Sequence, residues 1–171
     1  MKPFIIAEIG SNCLKYNDDR SNLNLAYEQI AAAKKAGASA VKFQMFTSKE
    51  LYGQDVPSVD RWSMPRAWLP QLAHACNIEK IELMCSAFSV EGYISVDRFV
   101  RRHKVASAEA GALDLCRWLW GQRKPVIWSN GCGDINTKDR PQDIVMDCVA
   151  KYPAVMSDYA FRTPRTSRKG E

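Results

Sequence analysis

Histidine is scarce in this chain: His74 and His103 are the only two among 171 residues. The six cysteines, Cys13, Cys76, Cys85, Cys116, Cys132 and Cys148, form no CxxC pair and no tight cluster with either histidine. Zinc sites show such spacing, so a structural zinc is not expected. The chain is also too long and too rich in core residues to need a disulfide framework. Its thiols are expected to be mostly small buried hydrophobes in a reducing compartment. No apolar run approaches the length of about 18 residues at which a membrane span is read. Met1-Lys2-Pro3 leads directly into a strand-like run rather than a signal peptide. The expectations are a cytoplasmic location and no membrane partner. Excess charge is small too, at +5, and part of it lies in Arg162, Arg165, Arg168 and Lys169. With no aromatic residues interleaved, residues 161–171 read as a basic disordered tail, and no nucleic-acid partner is expected.

What is present is an ordinary globular composition, 46% hydrophobic and 25% charged. That is enough for one domain with a real core over residues 1–160. Short apolar runs alternate with helical periodicity. Strands are expected at 4–7, 40–46, 81–85, 103–106, 125–128 and 144–146, with a vestigial seventh at 154–156. Helices are expected at 23–36, 67–76, 90–100 and 113–120, with a loop over 52–66. Continuous apolar strands separated by helices predict an α/β fold with a parallel sheet.

The chemistry gathers at strand ends. Ala40-Val41-Lys42-Phe43-Gln44 and His103-Lys104-Val105-Ala106-Ser107-Ala108-Glu109 each carry a lysine out of an apolar run, and Ala7-Glu8, Cys85-Ser86, Ser129-Asn130 and Ser157-Asp158 follow the same pattern. Polar groups at the carboxyl ends of successive parallel strands are the layout of an α/β active site. Each residue also has a plain structural reading. A lysine there can be half of an ion pair, a serine can form a turn or cap a helix, and Glu8 can pair with Lys42. Gly131-Cys132-Gly133 reads as a turn, and Trp118, Trp120 and Trp128 as core or interface residues.

Seven segments in order then resemble the N-acetylneuraminate (sialic acid) synthase family. They are Ile5-Ile6-Ala7-Glu8-Ile9-Gly10-Ser11-Asn12, Ala36-Gly37-Ala38 through Gln44, Cys85-Ser86-Ala87-Phe88-Ser89, and Lys104 to Glu109. Lys124-Pro125-Val126-Ile127-Trp128-Ser129-Asn130-Gly131, Cys148-Val149-Ala150-Lys151-Tyr152-Pro153 and Met156-Ser157-Asp158-Tyr159 complete the set. The resemblance implies a (β/α)8, TIM-barrel-like fold. It also implies a transferase that condenses phosphoenolpyruvate with an amino sugar such as N-acetylmannosamine, using a divalent metal, manganese or magnesium. It assigns Lys42, Lys104, Ser86, Ser107, Ser129 and Ser157 to phosphoenolpyruvate and gives Glu8 the proton-transfer position. Catalytic roles are therefore expected for Glu8, Lys42 and Lys104, while Gln44 and Glu109 would contact the sugar or orient the lysines.

The departures are specific. Tyr159 stands where the family has a metal-binding histidine, and neither His74 nor His103 falls on a matching position. Cys13, Asp147 and Ala150 replace a histidine, a histidine and an asparagine. No metal ligand is therefore assigned, and a non-catalytic module that binds a phosphate or phosphosugar, or serves assembly, stands as the alternative. A closed barrel takes about 250 residues, with about 200 as a floor, so the expected barrel is incomplete, with six to seven strands. An open sheet exposes an apolar edge, which predicts a homo-oligomer or pairing with another subunit.

Overall fold

Among the described residues six short parallel strands make two sheets: β1 (Ile6–Gly10), β2 (Ala40–Met45) and β3 (Glu82–Ala87) form one, and β4 (His103–Val105), β5 (Val126–Ser129) and β6 (Ile144–Met146) the other. In each, strands consecutive in sequence are neighbours in space. β4 packs beside β3, bringing the two sheets edge to edge. The computed structural model describes residues 3–133, 135, 140–151 and 153–159; the 161–171 tail lies outside them. The connections are helical: α1 (Asp19–Lys35), α2 (Ser48–Tyr52), α3 (Pro57–Asp60), α4 (Leu69–Glu79), α5 (Val90–Asp97) and α6 (Leu113–Gly121). Among the described residues no helix is long and apolar enough to cross a membrane.

Local chemistry sets these boundaries. Asp18 caps α1 by accepting a hydrogen bond from Ser21 N at 2.8 Å, so the helix starts four residues earlier than its apolar periodicity predicts. Lys34 and Lys35 close its last turn, where a cation complements the helix dipole. Thr47 and Glu50 form a reciprocal capping box on α2. That box and Pro57 at the start of α3 build two short helices, α3 lying within a segment that sequence predicts as loop. Gly92 lets α5 lie on β3, because a Cβ there would stand 2.9 Å from Ala87 Cβ.

The strands alternate strictly. Val41, Phe43 and Met45 on β2, Leu83, Cys85 and Ala87 on β3, and Val126 and Trp128 on β5 pack with Ile30, Leu72, Tyr93 and Leu119 of the helices. The opposite face carries a separate small cluster of Ala40, Met84 and Ile127, joined by Ile6. Burial pushes the thiols of Cys76 and Cys85 up to about 12, which fits inert core residues.

Two expectations are corrected. Residues 154–156 form no seventh strand; a 3₁₀ turn, Met156–Asp158, follows instead, closed by Asp158 accepting from Val155 N at 2.8 Å. Nor do the lysines leave their strands. Lys42 is the third of six residues in β2 and Lys104 the middle of three in β4. A lysine inside a ladder is tolerated because its face is not the one the helices cover.

Candidate functional site

On that helix-free face, one residue along from the Ile6, Ala40, Met84 and Ile127 cluster by period two, stand Glu8, Lys42, Ser86 and Ser129. Glu8 and Lys42 are register partners across β1 and β2, and their side chains form an ion pair. A bulge after Glu8 shifts the register so that Gly10 pairs with Phe43. Gly10 has φ +54°, and a Cβ there would lie 3.0 Å from Glu8 Oε1 and 3.7 Å from the Gln44 side chain. The glycine thus keeps Glu8 and Gln44 side by side. Gln44 is in turn the register partner of buried Ser86 on β3.

Lys104 is only 7% exposed. Its ammonium donates to Ser129 Oγ and, at 2.8 Å, to Val105 O. Behind it, the buried Tyr93 hydroxyl of α5 donates to Lys104 O at 2.7 Å, tying β4 to the helical layer. Burial, and then repulsion from the Lys42 ammonium, bring Lys104 down to about 8; Cys148, Glu8 and Glu109 oppose that shift. Lys42, Glu8 and Glu109 are thus near enough to Lys104 for their charges to reach it.

Glu109 stands in the 3₁₀ turn Glu109–Gly111 after β4. Burial raises its carboxyl above the ordinary range, and its Oε2 is buried with no hydrogen-bond partner among the described residues. Ser107 Oγ accepts from Gly131 N at 3.0 Å, joining the loop after β4 to the one after β5. Ser157 makes no hydrogen bond to this group among the described residues. It is exposed in the Met156–Asp158 turn, whose Asp158 pairs with Lys151 at 2.8 Å.

Three further residues shape this end of the strands, all named in the sequence analysis but given no site role there. Asn130 bridges the ends of β5 and β6, donating to Asp147 Oδ1 at 2.9 Å and accepting from Cys148 N at 3.0 Å. Gly131, read as a plain turn, is a close approach: a Cβ would meet Ser107 Oγ at 2.9 Å, Ala150 N at 3.3 Å and Cys148 Cβ at 3.4 Å. Cys148 gives its N–H to Asn130 and lies within the Gly131 approach. The sequence signals were the polar strand end Ser129-Asn130, the glycine directly after it and the matched segment that Cys148 opens.

The histidines lie elsewhere. His74 lines an outer groove with Tyr27, Pro70 and Ile78. His103 is buried against Tyr93 and Trp118, with Nε2 3.0 Å from Asp97 Oδ1. Among the described residues no three His, Cys, Asp or Glu side chains gather as metal ligands. That donor set does not fit a tightly held divalent ion.

Comparison with known proteins gives the family. The family model described as NeuB family matches residues 29–169. The chain is 32% identical over 177 residues to the spore coat polysaccharide biosynthesis protein SpsE of Bacillus subtilis, covering 88% of this chain and 46% of that one. It is 28% identical over 185 residues to the pseudaminic acid synthase of Campylobacter jejuni, covering 92% and 52%. Among solved structures it resembles the N-acetylneuraminic acid synthetase of Leptospira borgpetersenii, with TM-score 0.79, 26% identity, and 91% and 57% of the two chains covered. The chain spans about half the length of the curated relatives it matches.

Proposed function

The chain belongs to the NeuB family, and from that membership we propose that it serves sugar-acid biosynthesis, binding phosphoenolpyruvate beside Lys42 and Lys104 for condensation with an amino sugar. One observation carries the reading: the buried Lys104 ammonium meets the Ser129 hydroxyl on the helix-free face that also carries Lys42, and Glu109 stands in the turn that follows β4. Phosphoenolpyruvate brings a phosphate and a carboxylate, and an ammonium group can meet each of them with charge-assisted hydrogen bonds. The buried Ser86 and Ser129 hydroxyls add donors at fixed positions on the strands.

The condensation joins C3 of the enol phosphate to the aldehyde carbon of the sugar. The aldehyde oxygen takes up a proton, water adds at C2, and phosphate leaves. A proton donor must hold its proton near neutral pH. Glu109, whose buried oxygen has no partner, suits that task better than Glu8, whose carboxylate is tied to Lys42. Glu8 then acts by orienting the Lys42 ammonium.

The finer fold belongs to the same proposal. The two sheets form part of a (β/α)8 wall, supported by the consecutive parallel order and by β4 lying against β3. Calorimetry with phosphoenolpyruvate, with and without added manganese, tests the site, and phosphate release in the presence of N-acetylmannosamine tests the reaction. Binding with turnover is expected. Binding without turnover leaves a phosphate-binding module, and no binding at all overturns the proposal.

A further inference from the structure

A second charged cavity of about 600 Å³ opens at the other end of the strands. Its lining comes from Ser39 and Glu82 at the starting ends of β2 and β3, Asn77 and Lys80 at the end of α4, and Arg98 and Arg101 after α5. Gln44 and Ser86 close the same two strands on the other side, so this cavity is separate from the Lys42 and Lys104 neighbourhood. Its volume falls in the range of about 300–1,000 Å³ typical of small-molecule sites.

The charge balance there is lopsided. The single carboxylate, Glu82, is held by Arg102, which donates to it twice, at 2.7 and 3.1 Å. Among the described residues Lys80, Arg98 and Arg101 form no salt bridge. Lys80 and Arg98 cap the ends of α4 and α5, where one cation each would complement the helix dipole, but Arg101 belongs to neither helix.

Lys80 adds an independent sign. It is the one non-glycine residue with positive φ among the described residues, at +52°. Glycine occupies that helix-ending conformation without the steric cost an L side chain meets. The Lys34 ammonium donates to Lys80 O at 2.6 Å and holds the turn in place. A strained backbone that nevertheless keeps a long cationic side chain at a cavity mouth is accounted for by a ligand that the side chain meets.

We infer that this cavity binds a soluble small molecule carrying at least two negative charges as a phosphate ester or diphosphate. Lys80, Arg98 and Arg101 supply the charge and Asn77 and Ser39 the orienting hydrogen bonds. Arginine suits the task because its planar fork meets two phosphate oxygens at once.

Calorimetric titration with inorganic pyrophosphate at fixed ionic strength tests it on the intact chain, the R98Q/R101Q double variant and Lys80→Gly. The double variant should lose one class of sites. Lys80→Gly should weaken that class by about tenfold, as for loss of one charge-assisted contact, while its melting temperature stays level or rises as the backbone strain is relieved. Arg117→Gln, an exposed arginine on α6, should titrate like the parent chain. The inference is overturned if pyrophosphate does not bind the parent chain or if R98Q/R101Q titrates unchanged, since all binding would then belong to the Lys42 and Lys104 neighbourhood. An equal loss in Arg117→Gln would assign the effect to general surface charge and overturn it as well.

Discussion

Burial and the Lys42 ammonium hold Lys104 at about 8, so its charge is lost within an accessible pH range. Phosphoenolpyruvate affinity should fall as pH rises through about 8, measured calorimetrically from pH 7 to 9. The same shift makes a stability statement with the opposite sign. Between its folded value of about 8 and its ordinary value of 10.5, the unfolded chain binds the proton more readily. Raising the pH across that window therefore stabilises the fold, by an amount on the order of 3 kcal/mol. Below it the full burial penalty remains. Lys104→Met should gain on the parent chain at pH 7 in urea denaturation, and the gain should shrink toward pH 10.5. Glu109 behaves differently. Its carboxyl is raised by burial, so folding at neutral pH costs either the uptake of a proton or the burial of a charge. Glu109→Gln should raise the melting temperature at pH 7 and lose that advantage below the usual glutamate range, while abolishing turnover.

At the scale of elements, β5 is fixed to the segment before β6 by one carboxylate. Asp143 has a fully buried side chain and accepts from Val126 N at 2.9 Å, Trp128 Nε1 at 3.0 Å and Arg140 Nε at 2.8 Å. Arg140 also donates to the carbonyls of Trp120, Gln122 and Lys124, closing the turn from α6 into β5. Asp143→Ala would leave the Arg140 guanidinium nearly buried and short of its counter-charge. The expected cost is about 3–5 kcal/mol in denaturant unfolding, the range for breaking a buried pair from one side. Nothing in the spacing of Arg140 and Asp143 announced this network, because its other members come from α6 and β5. The strands themselves were legible, since short apolar runs locate them within two or three residues. Helix ends were less so: α1 starts at a polar cap that apolar periodicity does not register.

For the whole molecule, the last strand is the conspicuous surface. Ile144, Val145 and Met146 are all exposed, and among the described residues β6 pairs only with β5. At the opposite end of the order, Phe4 and Ile5 are exposed beside β1. Unpaired apolar edges recruit further strands. Concentration-dependent association is therefore expected in sedimentation velocity, and Val145→Lys should reduce it by placing a charge on the edge. A chain that stays monomeric at high concentration would remove this expectation.

Sequence alone determined the alternation of strands and helices, the parallel order that follows from it, and the residue types from which an anion site is made. These are local or sequential properties, set by periodicity, capping and composition. Only the tertiary structure decided which of those residues meet. Glu8 faces Lys42 because their strands are in register, and Lys104 reaches Ser129 because β4 and β5 are neighbours. Ser157 stands in a 3₁₀ turn because its segment does not pair as a strand. Strand register and burial arise from contacts distant along the chain, and the lowered charge stability of Lys104 is their product.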